Sequence, residues 1–260
     1  MLVRGTSLIE EINRTNTATP TLWFLGHCGF AIRYANLTFY VDPFLSSSSS
    51  GRPPPLAPDE VTNADLVLCT HEHRGHMDPA TLGGILRGSP RAKVVLPKSA
   101  AAFANEQAGI PYDRMTTTDN GLRIEYFKDN LYGRVYSVPS AHPDLGWTSA
   151  GGYPYLGYLI RFGRWTIYHA GDCAWYPELA NHLKPFNVNV ALLPVGGRNF
   201  SISQAAQLAS DIGAAWVVPM HYGTFEEDRE SQFVAHMLGQ RPEQAFKVFQ
   251  VGEDWTVPEE

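Results

Sequence analysis

Three histidines fall within six residues, His71-Glu72-His73-Arg74-Gly75-His76, directly after the apolar, strand-like segment 65–70. Residues i and i+2 of an extended segment face the same way. His71 and His73 can therefore aim two imidazoles at one ion, while His76, at the turn into the next helix, faces a second point nearby. With nine histidines in 260 residues, three in six is a cluster. A solvated histidine-rich turn would not need an apolar strand to deliver it. The cluster thus asks for a fold in which a buried strand ends at an open edge.

The rest of the chain supplies such a fold. Strand-like segments fall at 21–24, 29–34, 37–41, 65–70, 93–96, 122–127, 134–139, 155–162, 165–169, 190–193, 216–219 and 246–251. Helical segments fall at 80–86, 100–107, 203–212 and 230–238, and a short helical turn lies among the first twelve residues. Asp78-Pro79 reads as the N-cap and first position of the helix at 80–86. The one low-complexity stretch, 46–55, is rich in Ser and Pro and reads as an exposed loop. No linker splits the chain, so a single α/β domain over residues 1–260, with two sheets covered by helices, is expected.

Hydrophobic residues at 44% and charged residues at 18% exclude a disordered chain. The net charge of −6, with no basic run, disfavours a nucleic-acid partner. No apolar run is long enough to span a bilayer, and residues 1–20 lack the continuous apolar stretch of a secretory leader. Cys28, Cys69 and Cys173 are odd in number and lie in or beside apolar segments, which fits free buried thiols and a cytoplasmic location.

The histidine cluster resembles the His-x-His-x-Asp-His motif of the metallo-β-lactamase superfamily, answered here by His71, His73, Gly75 and His76. Trp23-Phe24-Leu25-Gly26-His27, Val41-Asp42-Pro43, Leu193-Pro194-Val195-Gly196-Gly197 and Pro219-Met220-His221-Tyr222-Gly223-Thr224-Phe225 are similar to the branch containing ascorbate-6-phosphate lactonase and N-acylphosphatidylethanolamine phospholipase. The resemblance implies a four-layer αββα sandwich and further ligands past separate strand ends. His142, Asp172 and His221 stand at such places. By resemblance, His71, His73 and His142 hold a first metal, His76 and His221 belong to a second, and Asp172 bridges the two. The resemblance also implies a hydrolase that uses metal-bound hydroxide on an ester, lactone, amide or phosphodiester. Zinc is the first choice of ion, with manganese or iron as alternatives.

Asp172 is also a candidate proton acceptor, and His27 a substrate-side or supporting residue. Arg74 and Arg198 are candidates to hold a phosphate or carboxylate of a small, anionic substrate. Tyr153, Trp147, Trp175 and Tyr176 are candidate pocket walls, and His169 reads as structural. Gly75 departs from the motif, because glycine offers no side chain where the family has an aspartate ligand. A tight first site and a weaker second one are therefore expected, unless Asp42 or His27 takes the missing place. The same departure keeps two alternatives open: a mononuclear-iron oxidoreductase, and a degenerate member that binds metal without turnover.

Overall fold

The computed structural model describes residues 4–46, 53–222 and 228–259, so most of the loop expected at 46–55 lies outside the described residues. The first run of strands is β1 (Thr21–Gly26), β2 (Gly29–Tyr34), β3 (Leu37–Val41), β4 (Leu66–Leu68), β5 (Lys93–Pro97) and β6 (Met115–Thr118). The second is β7 (Arg123–Lys128), β8 (Leu131–Pro139), β9 (Leu156–Phe162), β10 (Trp165–His169), β11 (Val190–Pro194), β12 (Trp216–Met220), β13 (Ala245–Phe246) and β14 (Asp254–Thr256). They form two seven-stranded sheets, ordered β14-β1-β2-β3-β4-β5-β6 and β13-β12-β11-β10-β9-β8-β7. In each sheet antiparallel pairing gives way to parallel pairing, after β3 in the first and after β10 in the second.

The layers follow from side-chain alternation. Successive residues of a strand face opposite sides, and in the first sheet they sort cleanly. Leu22, Phe24, Phe30, Ile32, Phe39, Val41, Leu66 and Leu68 join the core between the sheets. Their neighbours Trp23, Leu25, Ala31, Tyr40 and Val67 join a separate outer core. Leu8, Ile9 and Ile12 of α1 (Thr6–Arg14), Leu82 and Ile85 of α2 (Pro79–Gly88) and Ala104 of α3 (Ala101–Glu106) cover that outer face. The second sheet is covered by α4 (Leu179–Leu183), α5 (Ile202–Asp211) and α6 (Arg229–Gln240), through residues such as Leu179, Ala206, Leu208 and Phe233. A strand buried on both faces must be apolar throughout, which is why β11 reads Val-Ala-Leu-Leu without alternation. The expected αββα order of layers is present.

Most boundaries agree with the sequence to within a few residues. Asp78 caps α2 as expected, its Oδ2 accepting from the Thr81 N–H at 2.8 Å and hydroxyl at 2.7 Å. The strand expected at 246–251 is corrected: only Ala245–Phe246 pairs with β12, and the chain then turns at 250–253. Phe249 and Val251 are buried in the core without joining a ladder. Three elements, β6, α4 and β14, have no counterpart in the sequence reading. The three cysteines are free and buried. Among the described residues no helix is long and apolar enough to cross a membrane.

The two sheets lock through aromatic packing. Phe39 lies fully buried against Phe162 and Tyr126, with ring centroids 5.1 and 5.9 Å away. Gly133 of β8 makes room for it, since a Cβ there would meet the Phe39 ring at 2.7 Å. Phe39→Ala should therefore cost about 3–5 kcal/mol. Urea unfolding should show a lower midpoint with an unchanged slope.

Candidate metal centre

Each polar residue of the site lies just past the end of a strand: His27 after β1, Asp42 after β3, His71, His73 and His76 after β4, His142 after β8, Asp172 after β10, Asn199 after β11 and His221 after β12. Backbone hydrogen bonds tie these loops together. Leu156 N–H donates to Thr70 O (3.0 Å), Ala174 N–H to Ala141 O (2.7 Å) and His221 N–H to His27 O (2.8 Å). Gly196 is required for close approach, since a Cβ there would lie 2.0 Å from His221 O. His27, Asp42 and His221 hold left-handed φ values of 56°, 42° and 60°. Such positions cost of order 1–3 kcal/mol each and collect at functional sites.

Asp172 is the centre of the arrangement. Its Oδ2 lies 3.4 Å from His76 Nε2, 3.6 Å from His142 Nε2 and 3.8 Å from His71 Nε2. Its Oδ1 lies 3.2 Å from His221 Nε2 and 3.3 Å from Asn199 Nδ2, which donates to it. The potential donor atoms sort into two groups, each with all members within 4.8 Å of one another: His71, His73, His142 and Asp172, and His27, Cys28, His76 and His221. Burial alone would raise the Asp172 pKa, but His76, His221 and His71 outweigh it and hold the carboxyl well below the usual range.

Asp42 orients the middle of the cluster. Its Oδ2 accepts from His76 Nδ1 at 2.6 Å and from the Thr70 hydroxyl at 2.7 Å, while Oδ1 accepts from the Thr70 N–H at 2.8 Å. With Nδ1 held in this way, His76 turns Nε2 toward Asp172. Burial opposes charge on His76, yet Asp172 and Asp42 raise its pKa to about 10. His71 and His27 experience the opposite balance. Burial, then the neighbouring His76, pushes His71 well down, and burial with His76 and His221 pushes His27 to about 2. Both are therefore neutral imidazoles with lone pairs to offer. The Cys28 thiol is pushed up by burial and remains protonated.

The structure thus brings His73, His76, His142, Asp172, His221 and His27 together around one cavity of about 460 Å³, with Arg198 on its rim and His71 buried behind it, 3.8 Å from Asp172 Oδ2. Arg74 is corrected. Its side chain is 75% exposed, reaches back to Asp78 at 3.4 Å and is not among the residues lining the cavity. Trp147, Tyr153, Trp175 and Tyr176 do not line it either; Tyr176 instead donates to Pro139 O at 2.7 Å. His169 is structural: Nδ1 accepts from the Gly171 N–H, so Nε2 carries the proton and donates to Cys28 O at 2.8 Å. The sequence reading missed Thr70, Asn199 and Tyr155. The Tyr155 ring lies 5.4 to 5.5 Å from those of His142 and His71. Asn199 holds the Asp172 loop by accepting from the Cys173 N–H at 2.8 Å.

These residues fit a divalent transition ion. His71 Nε2 is buried without a hydrogen-bond partner and faces a carboxylate oxygen that is too distant to bond directly. A buried nitrogen left unpaired costs about 1–3 kcal/mol, a cost that coordination would remove. Imidazoles with one carboxylate are a donor set for zinc, iron or manganese.

Comparison with known proteins agrees. Residues 21–221 match the family pattern described as the β-lactamase superfamily domain. The chain is also 32% identical over 207 residues to a UPF0173 metal-dependent hydrolase of Hyperthermus butylicus, covering 78% of this chain and 83% of that relative. The chain belongs to the metallo-β-lactamase superfamily. Its fold is similar to that of Igni18, a metallo hydrolase from Ignicoccus hospitalis, with a TM-score of 0.70, 22% identity and coverage of 93% of this chain and 100% of the other. It is also similar to CmlA, a diiron β-hydroxylase from Streptomyces venezuelae, with a TM-score of 0.68, 17% identity and coverage of 94% and 55%. At these identities the two structures speak for the superfamily fold alone.

Residues that orient ligands are worth about 10–100-fold in metal affinity. Asp42→Asn removes the charge behind His76 while keeping the shape. Zinc binding, measured by competition with a chromophoric chelator, should weaken by about that factor.

Proposed function

We propose that this protein is a metal-dependent hydrolase of a small, anionic ester, lactone or phosphodiester. The observation that carries this reading is the buried Asp172 carboxylate, met by two sets of imidazoles at the floor of an open cavity. A bound divalent cation supplies Lewis acidity toward a carbonyl or phosphoryl oxygen and lowers the pKa of water. His71, His73, His142 and Asp172 would hold a first ion, and His76 and His221, with Asp172 shared, would hold a second. Asp172, whose Oδ1 lies between His221 Nε2 and the Asn199 amide, is the residue we assign to take up a proton from an attacking water. Asp42, itself held by Thr70, fixes the His76 ring through Nδ1, and Asn199 keeps the Asp172 loop in place. Arg198, exposed on the rim, is placed to meet a negative group on an entering substrate.

The cavity volume falls within the usual range for small-molecule sites, about 300–1,000 Å³. A phosphorylated sugar lactone is the substrate class by analogy with the lactonase branch. Zinc is the preferred ion because the donors are mostly imidazoles. Hydrolysis is preferred over iron-dependent oxidation because the named sequence relative is a hydrolase, whereas CmlA is similar in fold alone.

Elemental analysis of the purified protein should find a transition metal, and the double variant His71→Ala/His73→Ala should lose the first equivalent. Unchanged metal content in that variant would sink the assignment. Against a panel of lactones, esters and phosphodiesters, Asp172→Asn should lower turnover roughly 10²–10⁴-fold, with circular dichroism unchanged. Arg198→Ala should raise KM more than it lowers kcat, because ground-state binding of an anion is what it removes. Equal KM values in the two proteins would favour a neutral substrate.

A further inference from the structure

With Gly75 in the cluster, the second group of donors depends on what stands opposite that glycine. A Cβ placed on Gly75 would lie 2.9 Å from His27 Cε1 and 3.1 Å from His27 Nε2. The space that a side chain at 75 would enter is therefore held by the His27 ring. Backbone conformation does not demand glycine here, since Gly75 is not among the positive-φ residues. The restriction comes from the imidazole.

His27 has the placement of a ligand. Its ring is centred 4.3 Å from that of His221 and 5.1 Å from that of His76. Its donor atom lies within 4.8 Å of theirs. At metal–nitrogen distances of about 2.0–2.1 Å, tetrahedral donors sit about 3.4 Å apart, so a small contraction of the three rings closes them onto one ion. His27 Nδ1 is buried without a hydrogen-bond partner. The left-handed backbone at His27, anchored by the His221 N–H on its carbonyl, holds the ring at this point. Asp42, another residue that could have filled the place, is engaged with His76 and Thr70.

We propose that His27 is a ligand of the second ion, replacing the side chain that Gly75 lacks. With His76, His221 and Asp172 it completes a site of three imidazoles and one carboxylate. The inference rests on the metal reading above and deepens it. A neutral imidazole in place of a carboxylate shifts the preference of this site toward zinc and away from manganese.

The test is stoichiometry, read without activity. Metal-free protein is titrated with zinc in the presence of a competing chelator, and bound metal is counted after gel filtration. The unaltered protein should take up two equivalents. His27→Ala should take up one, with first-site affinity unchanged and the second weakened at least about 10-fold, the lower end of the loss seen even for supporting residues. Circular dichroism and thermal melting confirm that the variant is folded, and His27→Gln, closer in size, serves if it is not. Gly75→Asp in the His27→Ala background has room for its side chain and should restore the second equivalent. Manganese should compete poorly for the second site of the unaltered protein and better in the Gly75→Asp/His27→Ala protein. Cobalt-loaded protein should show no thiolate charge-transfer band; such a band would give the place to Cys28 and overturn the proposal. Two equivalents at unaltered affinity in His27→Ala would also overturn it. One equivalent in the unaltered protein would overturn it while leaving the first site standing. No bound metal at all would overturn the metal reading itself.

Discussion

A carboxylate as deeply buried as Asp172 must be compensated, because an unpaired ion in the protein interior costs several kcal/mol. Here the compensation comes chiefly from His76 and the Asn199 amide, with His221 Nε2 at 3.2 Å and the rings of His142 and His71 also turned toward the carboxylate. His71 and His76 follow a strand of the first sheet, and His142, His221 and Asn199 follow strands of the second. The charge of one residue is therefore balanced only when both sheets have closed in the correct register. The apolar core between the sheets brings the edges together, and Asp172 makes the chemistry of the edge depend on that closure.

The sandwich was legible because strand burial leaves a simple mark. Where both faces are covered the run is apolar throughout, as in β11, and where alternate residues enter different cores the pattern still contains little charge. The histidines were legible for a related reason, since polar residues directly after a buried strand stand at a sheet edge. What failed was direction. β4 ends at Leu68 and the chain bends from 70 to 73, so a bend and not strand alternation brings His71 and His73 to one place; it then coils, with the N–H groups of His76 and Met77 both donating to His73 O. Beyond that point spacing no longer sets facing, and Arg74 swings out to Asp78 instead of into the cavity.

Apolar content also reports burial rather than hydrogen bonding. Phe249 and Val251 are core residues, yet they arrive on a turning segment, so the strand expected there stops at Phe246. Conversely, β14 is short and pairs at the sheet edge, and its partly exposed residues give little pattern to find. Asn199 and Thr70 escaped notice because a supporting amide or hydroxyl has no characteristic spacing. Only the folded arrangement shows that one steadies the Asp172 loop and the other shares the Asp42 carboxylate with His76.

The hydrogen bond from His221 N–H to His27 O joins a loop of one sheet to a loop of the other. Any ion held from both sides of that bond binds only the closed edge and not a separated pair of sheets. Free ion at one hundred times its dissociation constant would then favour the closed form by about 2.7 kcal/mol. That is a sizeable share of the 5–15 kcal/mol that typically holds a domain folded. Metal supply would consequently set part of the free energy that keeps the two sheet edges together.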